Sequence, residues 1–214
     1  MKHQIEPLNQ LQEIAATFAA TVPVATPDTD YWSLRLVDEA SEGLAVRDDV
    51  AEPSSLGLSR GGMITVVVGA GIGYGATNDL SRSGLVAAFE RARGFAALHD
   101  RLGLFDARQY PRSALRAEFR SAVAQPWESW TLQDKLAVLI QACAGLDVDE
   151  RIVERAAWLG HHRTAQLLVT SDGGEIAQRW EYVHCGLSAT AHVDGQTQTR
   201  RGGGADHAQQ GGLE

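Results

Sequence analysis

Cysteine is scarce in this chain: Cys143 and Cys185 are the only two in 214 residues. Two thiols so far apart exclude a disulfide framework and a Cys-x-x-Cys metal knuckle. They read as two buried free thiols in a reducing compartment. Long apolar runs are missing as well. No window reaches the roughly 18 residues of a membrane span, and the N-terminal MKHQIEPLNQLQEIAA has no apolar signal core. The sequence therefore predicts a cytoplasmic protein with no membrane association. Positive charge is in short supply: 19 Lys and Arg face 27 Asp and Glu, a formal charge of −8. The imbalance is uneven, with 4 basic and 10 acidic side chains over residues 1–60 against 8 and 5 over 81–130. A net-negative chain lacks the electrostatic footprint of phosphate contacts, so direct nucleic-acid binding is not expected.

What is present is an ordinary globular composition, 44% hydrophobic and 21% charged, in a length that supports one large domain or two small ones. In PLNQLQEIAATFAA, Leu8, Leu11, Ala15, Phe18 and Ala19 share a helical face, with Pro7 suited to the first turn. Pro23 and Pro27 break the chain. Trp32, Leu34 and Leu36 then alternate with Ser33, Arg35 and Val37, a strand with one buried face. GLAVRDDVAE reads as a hairpin about Asp48-Asp49. From Asn78 the period changes: Asn78, Asp79 and Ser81 are candidate N-caps, and Leu85, Phe89, Ala92 and Ala96 form a helical stripe reaching His99. ALRAEFRSA is a candidate strand between Pro111 and Pro126. TLQDKLAVLIQACAG is a second long helix, with Thr131 and Asp134 as a capping box, a stripe of Leu132, Leu136, Leu139 and Cys143, and Gly145 at its end. Residues 151–201 divide into about five short extended runs, with Asp172-Gly173-Gly174 and Asp194-Gly195 as hairpin turns.

The expected fold is α+β. It has an N-terminal helix, a small sheet with hairpins, two long helices and then an antiparallel β-rich segment. The expected division is an N-terminal α+β domain over 1–145 and, over 146–214, the start of a β-rich second region that stops short.

MITVVVGAGIGYGAT resembles a dinucleotide-binding turn at first sight. Gly69 and Gly71 fit the G-x-G-x-x-G pattern, but the third glycine position is Tyr74. No helix follows the turn, and the phosphate-binding helix N-terminus would arrive some seven residues late. MITVVV reads instead as a strand covered on both faces, followed by a tight turn at 69–71 and a returning strand over 72–77. His161 and His162 are adjacent on a strand and point to opposite faces, so they do not share a metal. His184-Cys185 reads as a half-buried strand pair. No His-Glu-x-x-His is present. The residues thus assign no catalytic, cofactor-binding or metal-ligating position within the chain.

The order of these segments resembles the TldD/PmbA family of zinc metalloproteases, also called modulators of DNA gyrase. EGLAVRDDVAE is similar to the family's early hairpin, and RGGMITVVVGAGIGYGATNDLSRSGL to its central signature. LQDKLAVLIQA resembles its lysine-bearing helix, VDERIVERAAWLGHHRTAQLLVTSDGGE its paired strands, and RRGGGADHAQQGGLE its mid-chain glycine-rich segment. Thr65 and Met63 stand where the family often has arginine and glycine. The resemblance implies a hydrolase whose zinc is held by a His-Glu-x-x-x-His helix and a cysteine in the C-terminal half, and that motif is absent from these residues. It further implies a peptide substrate and proteolysis in the full enzyme. The implied partner is the C-terminal half or a second TldD/PmbA-like subunit, as a homo- or heterodimer. The alternative is a non-catalytic scaffold or partner subunit.

Overall fold

A computed structural model describes residues 8–22, 28–103, 106–109, 112 and 114–214. Pro7, Pro23, Pro27 and Pro111 lie outside the described residues. The chain is α+β. Its elements are α1 (Leu8–Thr21), β1 (Tyr31–Arg47), β2 (Val50–Ala51), β3 (Ser55–Val68), β4 (Gly71–Thr77), α2 (Arg82–Leu102), β5 (Arg116–Arg120), α3 (Leu132–Ala144), β6 (Ile152–Thr170), β7 (Glu175–Val193), β8 (Gln196–Gly203) and β9 (Gln209–Gln210). They form two compact units, each assembled from three separate stretches: 1–39, 59–120 and 164–179 in the first, 40–58, 121–163 and 180–214 in the second.

In the first unit the strands run in the order β4-β3-β1-β6-β7-β5. β3 and β4 pair antiparallel about the Gly69 turn, and β5 pairs parallel with β7. Strand alternation sends Trp32, Leu34 and Leu36 to the core from β1, and Ile64 and Val66 from β3. The helices supply the other half of that core. Leu11, Ala15 and Phe18 come from α1, and Leu85, Phe89, Ala92 and Ala96 from α2. Phe18 meets Trp32 edge-on with ring centroids 5.2 Å apart. β4 presents three glycines to α2. A Cβ at Gly71, Gly73 or Gly75 would fall closer than 3.0 Å to the helix carbonyls of Ala96, Ala92 and Ala88 respectively. The glycines of GAGIGYGAT therefore let a helix lie directly on a strand. At Gly69 a φ of +56° makes the turn itself. Ser81 is the N-cap of α2, its hydroxyl accepting from the Gly84 amide at 3.2 Å.

The expectation that MITVVV is covered on both faces is corrected at its start. Met63 is 42% exposed, because the buried helix stripes join the cluster on the side of Ile64 and Val66, whereas Val67, on the Met63 side, is buried at 3% exposure.

In the second unit β2 closes a hairpin on β1, with Asp48 and Asp49 at positive φ. β8 pairs antiparallel with β7 through the Asp194-Gly195 turn, and β9 pairs with Tyr182 and Val183. The core joins Leu44, Val46, Trp127, Leu139, Cys143 and Ala157. The Thr131–Asp134 capping box of α3 is present, but its buried stripe is Lys135, Leu139 and Cys143, while Leu132 is 52% exposed. The five short extended runs are in fact three strands, β6 and β7 having 19 residues each. Gly160 and Gly186 lie inside these strands: a Cβ at Gly160 would strike the His184 ring, and one at Gly186 the Trp158 ring. Of the two thiols, Cys143 is buried but Cys185 is exposed.

Candidate functional site

Side chains on the face of the first unit's sheet opposite its core alternate out of register with the buried ones. That face carries Arg35 and Val37 from β1, Met63 and Thr65 from β3, and Tyr74 opposite Thr65 on β4. On β5 Phe119 stands opposite Gln178 of β7. Met63, Tyr74 and Phe119 are all exposed. Three polar side chains form a row across the strands. Arg35 donates through Nε and Nη2 to Gln166 Oε1 at 3.1 and 2.7 Å. Gln166 Nε2 in turn donates to Gln178 Oε1. Beside Arg35 a shallow groove of about 580 Å³ runs over Val37, Gly61, Met63 and Ala76, with Glu39 also on its wall.

The second unit carries a buried polar cluster around one indole. Trp127 donates Nε1–H to Glu42 Oε2 at 2.8 Å. His161, 4% exposed, stacks on the indole at 4.8 Å between centroids with planes 7° apart. His161 Nε2 lies 3.0 Å from Glu181 Oε2, and the Glu181 amide donates to Ser121 Oγ. Lys135 places Nζ 3.6 Å from the indole centroid. Burial pushes its ammonium below the ordinary lysine range, while Glu42 and Glu128 pull it partly back.

His162 points to the opposite face from His161, as adjacent strand residues must. It stacks on Tyr182 at 4.9 Å and against His184 at 5.7 Å, with the imidazole planes 30° apart. The zinc implied by the sequence resemblance finds no fit in these groups. A zinc ion lies in the plane of each ligating imidazole, about 2.0 Å from nitrogen. Rings stacked face to face direct their lone pairs side by side, not to one point. His161 already engages Glu181, and no group of three His, Cys, Asp or Glu able to hold a metal occurs among the described residues. His184 and Cys185 are successive residues of β7 and face apart, with Cys185 exposed.

Two successive domain models of one family match this arrangement. PmbA/TldA metallopeptidase domain 1 matches residues 32–96, and the PmbA/TldA metallopeptidase central domain matches 125–212. The chain belongs to the PmbA/TldD family. Solved structures agree on the fold. A candidate modulator of DNA gyrase from Bacteroides thetaiotaomicron superposes with a TM-score of 0.71 at 15% identity, covering 90% of this chain and 44% of that one. A second, from Thermotoga maritima, gives 0.69 at 13%, covering 90% and 43%. TldE from Thermococcus kodakarensis gives 0.57 at 9%, covering 87% and 42%. This chain thus spans less than half the length of these PmbA/TldD structures. No curated protein matches it by sequence. Among the described residues, no helix is long and apolar enough to cross a membrane.

Within this PmbA/TldD fold the row Arg35–Gln166–Gln178 had no signal in the sequence. Its members are separated by 131 and 12 positions, and the neighbouring of β1 and β6 was not readable. The Lys135–Trp127 contact had a partial one. Lys135 lies one position before Leu136 of the apolar stripe, and the helix turns by that one residue.

Proposed function

We propose that this chain forms the first and central domains of a PmbA/TldD-type zinc metallopeptidase of the cytoplasm, acting on peptides. The observation that carries this reading is the colinear match of two domains, both named for a metallopeptidase, over residues 32–96 and 125–212. The catalytic metal is supplied by sequence bearing His-Glu-x-x-x-His, in a C-terminal half or in a second family subunit. On one helical face that spacing sets two imidazoles toward a zinc, with the glutamate beside the metal-bound water. The residues present here do not hold the metal; their contribution is a sheet with an exposed face that binds and orients peptide. The gyrase association in the names of the structural relatives belongs to those proteins.

Co-expression with a family subunit that carries His-Glu-x-x-x-His tests the reading. The expected result is a complex of fixed stoichiometry that hydrolyses an unstructured peptide, is inhibited by chelator, and loses activity when this chain is left out. A complex whose hydrolysis is unchanged without this chain makes it a non-catalytic scaffold. No complex and no hydrolysis with any such subunit contradicts both.

A further inference from the structure

Arg47, Arg60, Arg93, Arg108, Arg151, Arg155 and Arg163 each pair with a carboxylate, and Arg91 and Arg116 donate to backbone carbonyls. Arg35 is held by a neutral amide, and among the described residues it has no carboxylate partner. The amide's orientation follows from chemistry. A guanidinium can only donate, so Gln166 must turn its oxygen to Arg35 and its NH2 group to Gln178. Both contacts to Gln166 use the Nε–Nη2 edge. The Nη1–Nη2 edge, the second fork of the guanidinium, is left without a partner on an exposed strand position.

Arg35 itself lines a groove with Val37, Gly61, Met63 and Ala76 on its surface. A positive fork fixed by a relay of amides, next to apolar surface, has the chemistry for one carboxylate attached to a small apolar group. Glu39 narrows the choice. It sits four residues along the same face of β1, roughly 13 Å away at strand rise, and lines the same groove. Arg60 also lines the groove, but its charge is met by Asp38 at 3.8 Å. A second negative charge on the ligand would still meet Glu39, so phosphates and nucleic acid are disfavoured and a monoanionic peptide is favoured.

We propose that Arg35 is the carboxylate-binding residue of a peptide site on this face, with Gln166 and Gln178 as positioning residues. This deepens the peptidase reading above and rests on it for the word peptide. The carboxylate is a peptide C-terminus or an acidic side chain.

The test is an NMR titration of the 214-residue chain with three short peptides: Ala-Leu-Ala, its C-terminal amide, and acetyl-Ala-Glu-Ala-amide. The expected result is saturable shifts at Arg35 Nε–H and at the amides of Val37, Met63 and Ala76 with a carboxylate-bearing peptide, and none with the Ala-Leu-Ala amide. Response to Ala-Leu-Ala alone assigns the C-terminus; response to the glutamyl peptide alone assigns the side chain. Arg35→Gln should weaken binding about tenfold, Arg35→Lys by less but clearly, since it keeps charge and loses the fork. Gln166→Leu should weaken it several-fold at unchanged charge, and salt should weaken it throughout. Equal binding of the amide, unchanged affinity in Arg35→Gln, or no shift up to about 10 mM peptide, where a 1 mM site would be nearly saturated, overturns the proposal. In the reconstituted complex, hydrolysis with an unchanged KM in Arg35→Gln overturns this site alone. Carboxylate binding without hydrolysis overturns the peptidase reading alone.

Discussion

Lys135 holds its ammonium nitrogen 3.6 Å from the centroid of the Trp127 ring. Both residues are buried, at 4% and 3% exposure, so the contact is a cation over an aromatic face with little water beside it. Trp127 is the hub of the second unit's polar cluster, with His161 stacked on it and Glu42 on its nitrogen. Trp127→Ala should cost about 3–5 kcal/mol through lost burial. Trp127→Phe, which keeps most of the ring and loses the Glu42 hydrogen bond, should cost less than half of that. Chemical denaturation followed by a second-unit probe measures both. Equal midpoints for wild type and Trp127→Ala would remove the hub.

Lys135 carries a pH signature of its own. Its folded value is lowered by burial below the ordinary 10.5, so between those two values the unfolded chain holds a proton that the folded chain has released. Unfolding there takes up a proton, and raising the pH favours the folded state. Stability of the second unit should rise as pH climbs through the window just below 10.5. Lys135→Met, which fills similar space, should abolish that rise. A wild-type profile that falls there while Lys135→Met stays flat would contradict the assignment.

Glu214 behaves in the opposite sense. Its carboxylate accepts the amides of Gln125 at 2.8 Å, Gly212 at 3.0 Å and Ala124 at 3.2 Å. Those hydrogen bonds, Gly212's first, pull its value down from 4.5 to about 2. The docking of residues 209–214 on 124–125 should therefore be intact above pH 4.5 and be lost as pH falls toward 2. Amide shifts of Ala124 and Gln125 followed by acid titration report it. Glu214→Gln should lose the pH dependence, and a wild-type midpoint at the ordinary glutamate value would show no coupling.

Gly73 separates a structural turn from a cofactor turn. Its missing Cβ is the space occupied by the Ala92 carbonyl and the Ala96 amide of α2. Gly73→Val should prevent α2 from seating and unfold the first unit, and Gly73→Ala should cost at least the 1–3 kcal/mol or so of an overpacked site. NAD, FAD and ATP should each leave the melting temperature unchanged. A ligand bound at 10 μM would add about 2.7 kcal/mol at 1 mM, a shift easily seen.

The periodic elements were legible because a single side-chain pattern suffices for them. Leu85, Phe89, Ala92 and Ala96 name one helix face, and all four are buried; Thr131 and Asp134 name its companion's start. The returning strand at 72–77 was legible because Tyr74 stands where a cofactor site needs glycine. Legibility failed where a residue's role depends on a distant strand. Gly160 and Gly186 look like breaks until the His184 and Trp158 rings are seen to need their space. Cys185 looks like a core thiol, yet it is exposed on β7. The row from Arg35 to Gln178 depends on strand pairing over more than a hundred residues, which no local pattern carries.

The difference between the two thiols has a direct readout. Cys185 should react with a thiol reagent in the native chain, whereas Cys143, at 0% exposure, should react only on unfolding. Two fast thiols would mean that α3 is not docked.

Zinc content tests the central claim of the proposal, that the metal of a PmbA/TldD-type peptidase is held outside these residues. After dialysis, the chain alone should carry no stoichiometric zinc, and its complex with a His-Glu-x-x-x-His subunit should carry about one per pair. One tightly held zinc per isolated chain, removed by chelator with loss of structure, would contradict it.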